Sequence, residues 1–212
     1  MKYESLIFDV DGTLWNTVPL VARGWNLALE ELGLEPNCTP EGILPLFGQT
    51  MDRIAAALMP ELSAQVRERN MELCMERENQ VLQNDPCHVF YPGVIDTLHR
   101  LSRAHRLFIV SNCQKGYIEI LLEKGGLGSC ILDHSCFGDT GTCKGETIRR
   151  LMARNNVENA AYVGDTQGDL EAAEYAGIPF IFAAYGFGNP ARWDHRIDSI
   201  CRLAEDEATE PC

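Results

Sequence analysis

A chain of 212 residues, 45% hydrophobic and 23% charged, is long enough for one sizeable core or for a core with a small accessory domain, and its composition excludes a disordered chain. Its 31 acidic and 18 basic side chains leave a net charge of -13, which argues against general binding to nucleic acid or to an anionic membrane, since both reward clusters of Lys and Arg. An anionic substrate would therefore need a local positive centre: a metal ion, a lysine or a helix N-terminus.

Taken in chain order, the first β-rich run lies at 4–8 and follows directly on Met1-Lys2-Tyr3, with no cleavable signal expected ahead of it. From about Trp15 to His88 no strand is evident. Val18, Val21, Trp25, Ala28, Leu29 and Leu32 fall at helical spacing before Gly33, Thr39-Pro40 opens a short second helix, and 51–59 forms a third, stopped by Pro60. A long charged helix follows from about Leu62 to Leu82, with Val66, Met71, Cys74, Val81 and Leu82 as its expected buried positions. Further β-rich runs at 106–111, 131–137, 160–164 and 179–183 alternate with helical patterns at 93–104, 115–125, 144–155 and 168–176. Strands alternating with helices predict an α/β fold, and nearly continuous apolar strands predict a parallel sheet covered on both faces. The expected organisation is an α/β core of 1–14 and 89–212, with a small helical cap inserted at 15–88.

Nine cysteines, odd in number and never in a CxxC pair, do not form a zinc or disulfide framework; Cys113, Cys130 and Cys136 lie in or beside apolar stretches, where cysteine packs as a small hydrophobe. No apolar run approaches membrane-spanning length, and a reducing cytoplasm is the expected setting. The acidic tail 205–212 is expected to fray.

Four places carry chemistry. Phe8-Asp9-Val10-Asp11-Gly12-Thr13 ends the first strand, where residues i and i+2 share a face, so the carboxylates of Asp9 and Asp11 are expected to emerge together at the end where α/β sheets bind ligands. Asp-Gly-Thr is also ordinary turn chemistry. Tyr162-Val163-Gly164-Asp165-Thr166-Gln167-Gly168-Asp169 places a second acidic tip beyond another strand; Asp169 reads equally as a first-turn acid of the next helix. Ser111 and Asn112 end a third strand with a hydroxyl and an amide able to hold a phosphoryl oxygen, or simply to form a turn. Lys144, at a helix start, opposes the helix dipole, which argues for a purpose beyond solubility; Lys115 is its competitor among only four lysines. The oxygen-rich acidic tips suit a hard cation such as Mg²⁺. The Tyr185-Gly186-Phe187-Gly188 stretch reads as a turn or as a rim of the site, and the five histidines show no ligand spacing.

DxDGT, a strand-ending serine, a lysine and GDxxxD in this order resemble the four motifs of the haloacid-dehalogenase-like hydrolases, in particular the branch of phosphoglycolate phosphatases and β-phosphoglucomutases, whose cap is inserted directly after the first motif. The sequence departs from that pattern at Lys144-Gly145, where relatives often have Lys-Pro. The resemblance implies a Rossmann-like core and a small phosphate monoester hydrolysed through an aspartyl-phosphate. Asp9 would be the nucleophile and Asp11 the general acid and base. Mg²⁺ would be held by Asp9, the backbone carbonyl of Asp11 and Asp165; Ser111, Asn112 and Lys144 would grip the phosphoryl oxygens, and Asp169 and Thr13 would support the site. A phosphomutase and a non-catalytic sugar-phosphate-binding regulator are the alternatives it leaves. A receiver domain would lack the helical insertion, a P-loop kinase would need Gly-Lys-Ser/Thr, and a Schiff-base phosphonatase would need a cap lysine, none of which fits. Arg23 and Arg53 are the expected cap contacts to an anionic substrate.

Overall fold

The computed structural model describes residues 3–205; the tail beyond 205 lies outside the described residues. Six strands form one sheet: β1 Ser5–Phe8, β2 Arg106–Ser111, β3 Ile131–Cys136, β4 Ala160–Gly164, β5 Phe180–Ala183 and β6 His195–Ile197. Their spatial order is β3-β2-β1-β4-β5-β6, and every pairing is parallel. The chain runs outward from β1 to β3, then crosses back and runs the other way from β4 to β6. The strand order thus reverses between β1 and β4, and in an open α/β sheet the crevice at the carboxyl ends of such strands is where ligands bind.

The period of two along each strand splits the core into two layers. Leu6, Phe8, Ile109 and Val163 face one apolar cluster with α5 (Val94–Leu101) and α6 (Tyr117–Gly125). Ile7, Phe108, Val110 and Tyr162 face the other, with α8 (Lys144–Arg154) and α9 (Gln167–Ala176). Both faces being covered explains why β1, β2, β4 and β5 read as unbroken apolar runs. The edge strand β3 is the exception, and its Leu132 is exposed.

Between β1 and β2 lie α1 (Val18–Glu31), α2 (Pro40–Ile43), a 3-10 turn at Leu44–Leu46, α3 (Met51–Leu58) and α4 (Ala64–Asn84). These helices bury a cluster of their own, including Val21, Trp25, Leu29, Ile54, Met71 and Cys74. Several of their boundaries have a local reason: Pro19 lies in the first turn of α1, Thr39 Oγ1 accepts from Gly42 N at 3.1 Å, Ser63 Oγ accepts from Val66 N at 3.4 Å, and Asp85, before Pro86, is extended and ends α4. The two connections to the sheet lie side by side, with Asn16 N donating to Val89 O at 2.8 Å and Tyr91 N to Leu14 O at 3.1 Å.

One sequence expectation needs correction, and the structure adds two further features. Val66 is exposed, while the polar Asn70 and Glu78 are buried on the inner face of α4. Trp15 packs with the sheet's own cluster, as do Leu20, Val81 and Leu82. The short elements α7 (Phe137–Thr140), β6 and α10 (Arg202–Glu205) had no sequence counterpart.

Candidate active site

The carboxyl ends of β1, β2 and β4 bring Asp9, Ser111 and Asp165 to one crevice, and the first turns of α8 and α9 add Lys144 and Asp169. Asp9 extends the ladder of β1, donating from its backbone N to Val163 O at 2.8 Å. It shares the face of Ile7 and so points to the side of α8 and α9, where Lys144 Nζ lies 3.0 Å from its Oδ1. The same ammonium donates to Asp169 Oδ1 at 2.6 Å. Lys144 is 6% exposed, so its helix-start position serves two buried carboxylates rather than solvent. Burial works against its charge, but Asp169 and Asp9 outweigh it and raise its pKa. Lys115 is exposed.

Asp11 departs from the expectation of a shared face. The strand ends at Phe8, and Thr13 N and Leu14 N both turn back to Val10 O, so the i, i+2 rule no longer applies beyond Asp9. The carboxylate swings to the opposite layer, where Thr17 Oγ1 and Tyr117 Oη each donate to its Oδ1 at 2.8 Å. Burial pushes its pKa up to about 6 against the pull of these hydroxyls. Asp9 and Asp11 therefore flank the crevice from two sides. Gly12, at φ +79, makes this turn possible: an added Cβ would lie 2.3 Å from Asp165 Oδ2.

Asp169 fills two roles that the sequence left as alternatives. It completes a capping box with Thr166, and its Oδ2 accepts from Asp165 N, Thr166 N and Thr166 Oγ1 at 3.1, 2.9 and 2.7 Å. With Lys144 on Oδ1, its donors hold its pKa down despite burial. Asp165 is fastened by the loop after β5: Phe187 N and Gly188 N donate to its Oδ2 at 2.7 and 3.3 Å, while Thr13 Oγ1 reaches Oδ1 only at 3.5 Å. Tyr185 Oη donates to Thr13 O at 2.8 Å, so the 185–188 loop ties the two acidic tips together. Asn112 Nδ2 donates to Gly48 O at 2.8 Å and links the crevice to the helical insertion. Ser111 lines a small cavity of about 40 Å³ together with Asp9, Asp11 and Asn112. Arg53 lines a wider outer cleft of about 810 Å³, next to Lys144 and Asn112. Arg23 does not reach the crevice: it pairs with Asp85 at 2.6 Å on another face.

Asp9, Asp165 and Asp169 each offer an oxygen within 4.8 Å of the others. Asp169 is saturated by four donors, whereas Asp9 Oδ1, although near Lys144, makes no well-aligned hydrogen bond, and Asp165 Oδ1 has only the long contact to Thr13. Burial and then the charge of Asp169 raise Asp9 to about 7 and, with Asp9 as well, Asp165 to about 8. Two buried carboxylates with free lone pairs, in a place where their own charges repel, fit a hard divalent cation.

The family profile described as haloacid dehalogenase-like hydrolase matches residues 6–183. The chain belongs to that family. It is 30% identical over 190 residues to the phosphoglycolate phosphatase of Aquifex aeolicus, covering 86% of this chain and 85% of that protein. It is 28% identical over 197 residues to the phosphoglycolate phosphatase of Synechococcus elongatus, covering 88% and 86%. Among solved structures, one described as a predicted phosphoglycolate phosphatase from Haemophilus somnus superposes with a TM-score of 0.82 at 20% identity, covering 98% and 99% of the two chains. A haloacid dehalogenase-like hydrolase from Streptococcus pneumoniae superposes at 0.81 with 18% identity, covering 97% and 99%. These structures share the Rossmann-like fold.

Sequence reasoning missed Thr17 and Tyr117 as partners of Asp11, and undervalued the 185–188 loop. Thr17, just before α1, and Tyr117, the first residue of α6, are 100 positions apart and meet only in the fold; nothing in local spacing signals them.

Proposed function

We propose that the protein is a Mg²⁺-dependent phosphatase that releases inorganic phosphate from a small phosphate monoester through a phosphorylated Asp9. The observation that carries this reading is the separation of the two carboxyls: Asp9 lies against Lys144 at 3.0 Å, while Asp11 is turned to Thr17 and Tyr117 on the opposite layer. One is placed beside a cation as a nucleophile would be, and the other is held where it can carry a proton.

An Asp9 oxygen attacks phosphorus as the bond to the leaving oxygen breaks. Asp11, with a pKa near 6 and one oxygen pinned by two hydroxyls, gives its proton to that leaving oxygen. The resulting Asp11 carboxylate takes a proton from water as that water attacks the acyl-phosphate, freeing Asp9 and phosphate. Ser111, Asn112 and Lys144 hold the equatorial oxygens, and Asp169 keeps Lys144 aimed at them. Mg²⁺, held by Asp9, Asp165 and the Asp11 carbonyl, would offset charge between nucleophile and phosphate. The helical insertion 15–88 acts as a cap, closed against the core by contacts such as Asn112 to Gly48 and the Phe47–Phe187 ring pair at 5.7 Å.

The test is turnover of p-nitrophenyl phosphate. EDTA should abolish it, Mg²⁺ should restore it, and Asp165→Ala should need far more Mg²⁺ for the same rate. Turnover indifferent to EDTA would overturn the metal-dependent reading.

A further inference from the structure

A buried acid on the helical insertion takes no part in the chemistry above. Glu78, on α4, is 3% exposed and lines the small cavity opposite Asp9 and Asp11. Trp25 Nε1 donates to its Oε2, and Gln114 Nε2 donates to its Oε1 at 2.9 Å. Both partners are neutral, and among the described residues no ion pair reaches it. The backbone beneath it is fixed as well, since α1 passes so closely that a Cβ added at Gly24 would lie 2.7 Å from Glu78 Cα. A carboxyl has about four lone-pair sites, so two donors leave acceptor capacity unused. Among the described residues no Lys, Arg or His lines this cavity; its other polar groups include Gln49, Gln114 and Tyr117.

An isolated carboxyl is costly to bury, so its retention needs a reason. Burial pushes Glu78 up to about 8, with the nearby Asp11 adding to the rise. A substrate carboxylate entering here would meet Asp9, Asp11 and Glu78 with no cation in the wall to receive it, whereas a donor would find a fixed acceptor. Resting on the phosphatase reading, we propose that Glu78 selects the leaving group: the preferred substrate is a phosphate ester of an alcohol bearing a second hydroxyl or an ammonium group, and not of a carboxylate-bearing alcohol. The curated relatives are named for phosphoglycolate, the phosphate ester of a carboxylate-bearing alcohol; the lining of this chain's small cavity offers such a carboxylate no cation.

Three two-carbon esters of nearly equal size isolate the effect: 2-hydroxyethyl phosphate, O-phosphoethanolamine and 2-phosphoglycolate. With all assays run with Mg²⁺ at about pH 9, where Glu78 is ionised, kcat/KM of the wild type for the better donor ester should exceed that for 2-phosphoglycolate by about tenfold or more, the scale of a buried polar group met or left unpaired. Glu78→Gln should shrink that ratio to within about threefold, because the neutral amide no longer repels the carboxylate. A greater loss for O-phosphoethanolamine than for 2-hydroxyethyl phosphate would identify the ammonium as the donor; equal losses of both, with 2-phosphoglycolate unharmed, would identify the hydroxyl. The same three esters titrated calorimetrically into folded Asp9→Asn protein give the preference without turnover. If the wild type hydrolyses neither these esters nor p-nitrophenyl phosphate yet this binding order holds, the phosphatase reading fails and the role of Glu78 stands. If 2-phosphoglycolate is the best substrate or ligand, or if Glu78→Gln scales all three equally, the role of Glu78 is overturned while the phosphatase reading stands.

Discussion

Among the described residues Lys144 is the only cation paired with the buried cluster Asp9, Asp165 and Asp169, and replacing it with methionine of similar length gives a sharp prediction. Its ammonium touches Asp9 at 3.0 Å and Asp169 at 2.6 Å, and all three side chains are almost inaccessible to water. Removing one partner of a buried pair strands the others, at a cost of about 3–5 kcal/mol. In a domain of this size each kcal/mol lowers Tm by roughly 2–4 °C, so Lys144→Met should melt about 6–20 °C below wild type in EDTA. Neutralising one stranded acid should recover much of the loss, and Lys144→Met/Asp169→Asn should therefore be more stable than Lys144→Met alone. Turnover should fall by about a hundredfold or more, the usual scale for losing one donor to a developing oxyanion. Urea unfolding of the three proteins at neutral pH in EDTA measures the first two effects. A stability loss under about 1 kcal/mol for Lys144→Met would refute the idea that this lysine compensates the acids.

Two further predictions follow from single contacts. Gly12→Ala places a Cβ 2.3 Å from Asp165 Oδ2 at φ +79, so it should cost about 1–3 kcal/mol in urea unfolding and weaken Mg²⁺ activation by displacing Asp165; unchanged values would contradict the close approach. Glu78 is raised from 4.5 to about 8, so its burial is harmless below about pH 4.5 and increasingly unfavourable as pH rises to about 8, where the unfolded chain ionises and the folded one resists. Glu78→Gln should therefore gain stability over wild type between about pH 5 and about pH 9, by a few kcal/mol, with Asp9 and Asp165 common to both proteins; a pH-independent difference would count against the burial of Glu78 as an acid.

The sheet was legible because its central strands are buried on both faces and bounded by turns, which makes β1, β2, β4 and β5 stand out as short apolar runs. The three-residue β6, with two of its residues exposed, carries no such signal. Helices α1 and α4 were legible from their spacing, but not the inner face of α4. Asn70 and Glu78 are polar residues at core positions, and a pattern built on apolar residues reads them as solvated. Asp9, Ser111, Lys144 and Asp165 could be named because each sits at a strand tip or helix start, where local sequence fixes position. The orientation of Asp11 could not, because it depends on where β1 ceases to be a strand. Its partner Tyr117 and the anchoring of Asp165 by Phe187 and Gly188 are long-range products of the sheet order.

The central claim is that Asp9 carries the phosphoryl group. Enzyme mixed with an excess of p-nitrophenyl phosphate and Mg²⁺, quenched in acid within a turnover and treated with borohydride, converts any acyl-phosphate to an alcohol that peptide mass spectrometry can place. The account predicts reduction of Asp9 to homoserine in the wild type, with Asp11 untouched and no labelling in Asp9→Asn. Efficient turnover with no label at Asp9, or with the label at another residue, would contradict it.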